Sequence, residues 1–173
     1  MIITFNDKQP KVEEATEMAN SILKNPIFYS KIREKDSFDL STASPQIIAD
    51  LIEQSDLEFK IDLFYPSGWR AIKYRKTFAY MDHRFPNTLF LNLKKLKRSS
   101  KSIAATIIHE SLHALDHEAI DYTFGHGNNS SKGKSNTAPY WIGNLANKIL
   151  EDNFEVNSLV FDELEDDEND YLA

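Results

Sequence analysis

The sequence predicts a single α+β domain, in which helices pack on a small mixed sheet. Apolar residues recur at helical spacing near the start of the chain and again after residue 99, whereas residues 59–93 are rich in aromatic side chains. With 173 residues, of which 41% are hydrophobic, the chain is long enough to bury one core. We expect a domain over residues 1–160 and an acidic tail over residues 161–173.

Two helices are expected before the sheet. Residues 11–24 and residues 45–54 both place apolar side chains at helical spacing. The second segment also has helix start signals, because Ser44 can cap its first turn and Pro45 suits that turn.

Three segments in the middle of the chain favour extended structure: residues 59–65, 69–81 and 88–93. Turns are expected at residues 67–68 and 86–87. The segment 87–92, directly before the next helix, is expected to form an edge strand, whose unpaired backbone groups can accept an added strand.

The next helix carries an H-E-x-x-H motif at residues 109–113. Ser99 or Ser100 can cap it, and its core residues are Ile103, Ile107, Ile108, Leu112 and Leu115, which leaves the His/Glu face distinct from much of the core-facing surface. Positions four apart share a helix face, so His109 and His113 can converge on one ion beside Glu110. Zinc in such a site lowers the pKa of its water to about 7, and a carboxylate moves the proton. The motif predicts a zinc hydrolase with Glu110 as general base.

Four of the five glycines lie in the next part of the chain, within residues 125–143. This density predicts a loop that turns sharply and approaches other atoms closely. A last helix is expected to begin near Pro139 and to run to Leu150.

A hydrolytic zinc site needs three protein ligands and one open position, and the absence of cysteine excludes thiolates. On an unbroken helix His117 lies eight residues, about 12 Å, from His109, which is too far to share its ion. Asp121 lies eight residues beyond His113, where the chain can fold back. The candidates for the third ligand are His117, Asp121, Glu151 and Glu155.

The motif and the residues that follow it resemble the aspzincin, or deuterolysin-like, zinc endopeptidases. The run Asp121-Tyr122-Thr123-Phe124-Gly125 is similar to the family signature G-T-x-D-x-x-Y-G, and Asn136-Thr137-Ala138-Pro139-Tyr140 is similar to its N-A-x-x-Y segment. The resemblance covers about residues 105–150. It implies a zincin-like fold and an endopeptidase whose zinc is held by His109, His113 and Asp121, with Glu110 as general base.

The chain departs from the family signature at the tyrosine that assists the oxyanion, because Phe124 stands there and cannot donate a hydrogen bond. The donor is then expected to be His126, which lies between two glycines, or Tyr140, at the start of the late helix. Ala119 and Ile120 replace the family's G-T, and its disulfides and signal peptide have no counterpart here.

Charge and hydropathy exclude several partners. Residues 151–173 contain ten Asp or Glu and no Lys or Arg, so the rest of the chain is nearly neutral despite the net charge of −7. The lysine-rich segment 94–101 is interpreted as a solvated face, and no apolar run is long enough to cross a bilayer. We expect a monomer that acts on a protein or peptide substrate and binds neither nucleic acid nor membrane.

Two alternative functions use the same motif: a zinc hydrolase or amidase that cuts peptidoglycan cross-links, and a non-catalytic zinc-binding effector module. The absence of cysteine and of a recognisable signal peptide favours a bacterial-type protein that is cytoplasmic or is exported as an effector without a cleavable signal peptide.

Overall fold

The computed structural model describes residues 1–75, 77–125 and 133–151, except for the side chain of Arg70. These residues form four strands, six α-helices and a short 3-10 helix at Leu93–Lys95. The strands are β1 (Ile2–Phe5), β2 (Glu58–Phe64), β3 (Ala79–Asp82) and β4 (Phe85–Asn92). The helices are α1 (Pro10–Leu23), α2 (Pro26–Arg33), α3 (Pro45–Gln54), α4 (Gly68–Lys73), α5 (Ser100–Glu118) and α6 (Ala138–Leu150). The expected α+β domain with a small mixed sheet is confirmed.

The strands lie in the order β1-β2-β4-β3. The pairs β1/β2 and β2/β4 are parallel, and β3 pairs antiparallel with β4. The prediction that residues 87–92 form an edge strand is therefore wrong, since β4 has a neighbour on each side. The physical reason is visible in the run Leu89-Phe90-Leu91, which is apolar on both faces and suits an interior strand.

One face of the sheet packs against helices and forms the core. Its inward side chains are fully or almost fully buried: Ile3, Phe59, Ile61, Leu89 and Leu91. α1 contacts β1, α5 contacts β4, and α5 is also in contact with α1 and α6. α5 is therefore the central helix, with packed elements on several sides.

The first three helices begin in the same way. Each has Pro in its first turn, and the side chain of the preceding residue accepts a hydrogen bond from a backbone N–H: Gln9 for α1, Asn25 for α2 and Ser44 for α3. The predicted helices over 11–24, over 45–54 and from near Pro139 are confirmed. α2 was not predicted, although Asn25-Pro26 carries the same start signal.

Two predictions between residues 69 and 87 are wrong. Residues 69–73 lie in α4 rather than in a strand, because Arg, Ala and Lys favour a helix once Gly68, at φ 53°, has turned the chain. Pro86-Asn87 lies inside β4, and the turn comes earlier, where the Arg84 N–H donates to Asp82 Oδ1 at 3.0 Å. Pairing of β4 with β2 starts at Thr88, so Pro86 removes no hydrogen bond from that ladder.

Among the helices of the described ranges, none combines the length and the apolar character that a membrane crossing requires.

Candidate active site

The H-E-x-x-H residues lie in the middle of α5, the most enclosed helix of the domain. Ser99 caps the helix, and every residue from Ile103 to Leu115 is buried. The expectation that the His/Glu face would stay distinct from the core-facing surface is wrong. The reason is the position of α5, which has α1 and α6 beside it and β4 beneath it. His109 is 4% exposed, Glu110 1% and His113 9%.

The two histidines converge as their spacing predicts. Their Nε2 atoms are 3.1 Å apart, and the rings meet edge to face with centroids 4.9 Å apart. Glu110 Oε1 lies 4.0 Å from His109 Nε2. The structure therefore brings the two imidazole nitrogens together inside the protein, with the Glu110 carboxylate next to one of them.

α6 closes one side of this point. A Cβ added at Gly143 would lie 3.1 Å from His109 Cβ and 3.2 Å from the Ala105 carbonyl oxygen, so glycine allows α6 to pack directly on the backbone of α5. Three residues earlier, the Tyr140 ring lies edge-on to the His109 imidazole, with 4.6 Å between centroids. Tyr140 thus lies beside His109, and its role as an oxyanion donor stays a prediction, whereas the packing role of Gly143 was not predicted.

The segment after α5 is fixed by one carboxylate of the same helix. Asp116 Oδ1 accepts a hydrogen bond of 2.8 Å from the Phe124 N–H. Phe124 itself is fully buried, which gives a packing reason for phenylalanine at this position. Sequence reasoning missed Asp116, although its position seven residues after His109 places both on one face of the helix. Burial raises the pKa of Asp116, while the Phe124 N–H and the neighbouring His117 oppose that rise.

The same segment is tied to the connection between α2 and α3. The Thr42 N–H donates to the Thr123 carbonyl oxygen and the Thr123 N–H donates to Thr42 Oγ1, both at 2.9 Å. Gly125, at φ 76°, lies so close to Leu40 that an added Cβ would be 2.4 Å from the Leu40 carbonyl carbon. The predicted close approach in the glycine-rich region is confirmed at this residue.

The α2–α3 connection also holds the start of α6. The Asp39 N–H donates to the Asn136 carbonyl oxygen at 3.0 Å, and Asn136 Nδ2 donates to Asp39 Oδ1 at 2.8 Å. Residues 39–42 therefore link the segment that follows α5 to the helix that carries Tyr140. No motif in the sequence pointed to this connection.

The other candidate ligands are not gathered at the histidines. Asp121, His117 and Glu151 are exposed, and α5 is unbroken past His117. Within the described ranges, no three His, Cys, Asp or Glu side chains are close enough to hold one metal ion. His126 and Glu155 lie outside the described residues. The identity of the third zinc ligand stays a prediction, and so does the assignment of Asp121 to that role.

A buried lysine precedes α6. Lys134 is 7% exposed, and its Nζ has no hydrogen-bond partner among the residues that the structure describes. Burial lowers the pKa of this amine. The Lys134 carbonyl oxygen accepts hydrogen bonds from the N–H and hydroxyl of Thr137, so the backbone of Lys134 fixes the first turn of α6.

Comparison of the chain with protein-family models, with curated proteins and with solved structures gives no significant match.

Proposed function

We propose that this protein is a zinc-dependent endopeptidase. The observation that carries the proposal is the convergence of His109 Nε2 and His113 Nε2 beside the Glu110 carboxylate, inside an enclosed part of the domain. A metal site of this kind needs neutral imidazoles on one helix face and a nearby carboxylate for proton transfer.

The distance between the two nitrogens fits a shared ion. Two imidazole nitrogens at about 2.0–2.1 Å from a tetrahedral zinc lie about 3.3 Å from each other. The Nε2 atoms of His109 and His113 are 3.1 Å apart. A small rotation of either ring about its Cβ–Cγ bond covers that difference. Imidazole nitrogens and one carboxylate suit zinc better than calcium or magnesium.

Glu110 supplies the proton transfer in this proposal. Its carboxylate takes a proton from water at one oxygen and delivers it to the nitrogen of the leaving amine. When bound, zinc polarises the scissile carbonyl and lowers the pKa of water. Burial of Glu110 keeps bulk solvent from competing for that proton, and α6 packs against the imidazole of His109 through the Tyr140 ring.

Asp121 is the third ligand that the family resemblance favours. It is exposed, but it lies in the short segment between the end of α5 and the anchor formed by Phe124 and Asp116. Because Phe124 is anchored to Asp116, the segment that carries Asp121 stays next to the end of α5, the helix that carries both histidines. Ligation by Asp121 requires residues 119–122 to turn towards His113.

The test is metal content and proteolysis on the wild-type protein and on two matched variants. We expect one zinc per chain, loss of activity with chelators, and cleavage of a mixed set of unstructured proteins. Glu110→Gln should keep its zinc, and its turnover number should fall by a factor of about 100 to 10,000. Glu118→Gln is the control, because Glu118 lies on the same helix, is exposed, and accepts a hydrogen bond of 3.2 Å from Asn87 Nδ2.

Two results would overturn the proposal. A protein that takes up no zinc on reconstitution has no metal site. Zinc binding with no activity on any protein or peptide, and no difference between wild type and Glu110→Gln, would instead indicate a non-catalytic module.

A further inference from the structure

A surface at one end of the sheet combines exposed aromatic rings with dense positive charge. We name it the basic aromatic face and define it as residues 65–75, 77–78 and 93–101, which follow the carboxyl ends of the parallel strands β2 and β4. Its described basic side chains are Lys73 and Arg75 in the first segment and five Lys or Arg in the second, and neither segment contains Asp or Glu. The charge of this face is therefore not balanced within either segment.

Two cation–ring contacts join the segments into one surface. Lys94 Nζ lies 4.4 Å from the centroid of the Tyr65 ring, and the Arg98 guanidinium carbon lies 4.4 Å from that of Phe78. Asn92 adds a third link, because its Nδ2 donates to the Thr77 carbonyl oxygen at 2.9 Å.

The face presents large apolar side chains to solvent. Trp69 is 80% exposed, Ile72 67% and Tyr65 64%. Tyr74, from the same segment, packs its ring against those of Phe64 and Tyr80, with the three centroids 4.9–5.4 Å apart. Exposed apolar groups that cluster in this way mark interaction surfaces. The surrounding lysines and arginines select an anionic occupant.

The chain itself contains a segment of the matching chemistry. Residues 152–173 hold nine Asp or Glu, no Lys or Arg, and the aromatic residues Phe154, Phe161 and Tyr171. They follow α6 directly and lie outside the described residues. Twenty-two residues span up to about 70 Å when extended. A domain of about 150 residues has a radius of gyration of only about 15 Å, so the segment can reach any part of its surface.

We propose that residues 152–173 bind in cis to the basic aromatic face, with carboxylates against its lysines and arginines and aromatic rings against Trp69. The segment then competes with any other polyanion for this face. This inference is independent of the zinc site, and it replaces the interpretation of residues 94–101 as a solvated face.

The fluorescence of Trp69 tests the proposal in the full chain. The other tryptophan, Trp141, is 4% exposed, and a Trp69→Phe variant gives its contribution for subtraction. In wild type at low salt, we expect acrylamide to quench Trp69 weakly. Quenching should increase about twofold or more at 1 M salt, where the screening length falls from about 30 Å to about 3 Å. A variant with the seven Asp and Glu of residues 162–170 changed to Asn and Gln should show the high value at all salt concentrations.

Glu13→Gln with Glu17→Gln is the matched control, since both residues are exposed on α1 and their loss changes only charge. A second variant changes charges on the face instead of the tail: Lys94→Glu with Lys97→Glu should also expose Trp69 at low salt.

Equal quenching in wild type and in both the tail and the face variants would overturn the proposal. Protection that depends on protein concentration would point to a second copy, and protection only with added single-stranded oligonucleotide would point to nucleic acid. Either result would also overturn it.

Discussion

The Tyr140 side chain packs its ring against His109 and also carries a hydroxyl, and one substitution separates the two roles. Phenylalanine at this position keeps the edge-on ring contact of 4.6 Å but removes the donor. If the hydroxyl stabilises the oxyanion, Tyr140→Phe should lower kcat about a hundredfold or more, with zinc content unchanged. Kinetics on a peptide substrate and metal analysis check this expectation.

Tyr122→Phe is the control for this experiment, because Tyr122 is exposed and lies in the segment after α5. His126→Ala and His126→Gln test the other donor that the sequence predicts. If Tyr140→Phe and both His126 variants turn over like wild type, neither residue assists the transition state.

Asp116 should make stability depend on pH in a direction opposite to that of most carboxylates. Burial raises its pKa above the usual value near 3.8, so the folded state holds the proton more tightly than the unfolded state. As pH rises from 3.8 through the folded pKa, the unfolded state releases its proton first, and the free energy of unfolding falls. Asp116→Asn lacks this titration and keeps an oxygen to accept the Phe124 N–H.

Urea unfolding of wild type and Asp116→Asn between pH 3.5 and 7 measures the effect. We expect wild type to lose stability relative to the variant as pH rises, with the other carboxylates cancelling in the comparison. A difference that stays constant over this range would contradict the raised pKa.

At the scale of elements, Gly125 determines whether the segment after α5 can lie against the α2–α3 connection. Gly125→Ala places a Cβ 2.4–2.7 Å from backbone atoms of Leu40 and Ser41, and backbone cannot move aside as a flexible side chain can. Gly133 has the same left-handed conformation, at φ 78°, but no atom of the described residues lies within 4 Å of an added Cβ there. Gly133→Ala should therefore cost only the conformational strain of about 1–2 kcal/mol. Gly125→Ala should cost about 1–3 kcal/mol more, as in overpacking.

Chemical denaturation of the two glycine variants gives the difference directly. Equal losses of unfolding free energy would show that the contact with Leu40 is not restrictive. If Asp121 binds zinc, Gly125→Ala should also weaken zinc binding, whereas Gly133→Ala should not.

Elements with local signals were predictable from the sequence, and elements decided by their neighbours were not. Ser44-Pro45 and the apolar spacing of residues 45–54 located α3 because capping and periodicity act within one element. The interior position of β4 depends on β3 folding back against it. The apolar run Leu89-Phe90-Leu91 suits such a position, but nothing in residues 87–92 identifies β3 as the partner strand. The same holds for the site: the spacing of His109 and His113 predicted their convergence, whereas the contact at Gly143 arises only when α6 packs on α5.

For the whole molecule, zinc and folding should be thermodynamically linked. His109 and His113 are brought together only in the folded domain, so zinc should bind the native state preferentially. Zinc at a hundredfold excess over its Kd should then add about 2.7 kcal/mol to the free energy of unfolding. Thermal or urea unfolding with and without zinc measures this increase.

His109→Ala with His113→Ala should abolish the increase, and His117→Ala should retain it because His117 is exposed at the end of α5. Zinc stabilisation that survives the double substitution would place the metal elsewhere in the chain.

The parallel pairing of β1 with β2 has a consequence for the order of folding. Ile2 lies opposite Glu58 and Phe5 opposite Ile61, so three helices separate two strands that are neighbours in the sheet. During synthesis, β1 has no partner until the whole of β2 has been made, and β2 acquires its second neighbour only with β4. Contacts between such distant parts of the chain carry a large loop-closure cost before any pairing is gained. We expect the sheet to form late and cooperatively, and substitutions at the β1/β2 pairing to slow refolding less than they accelerate unfolding.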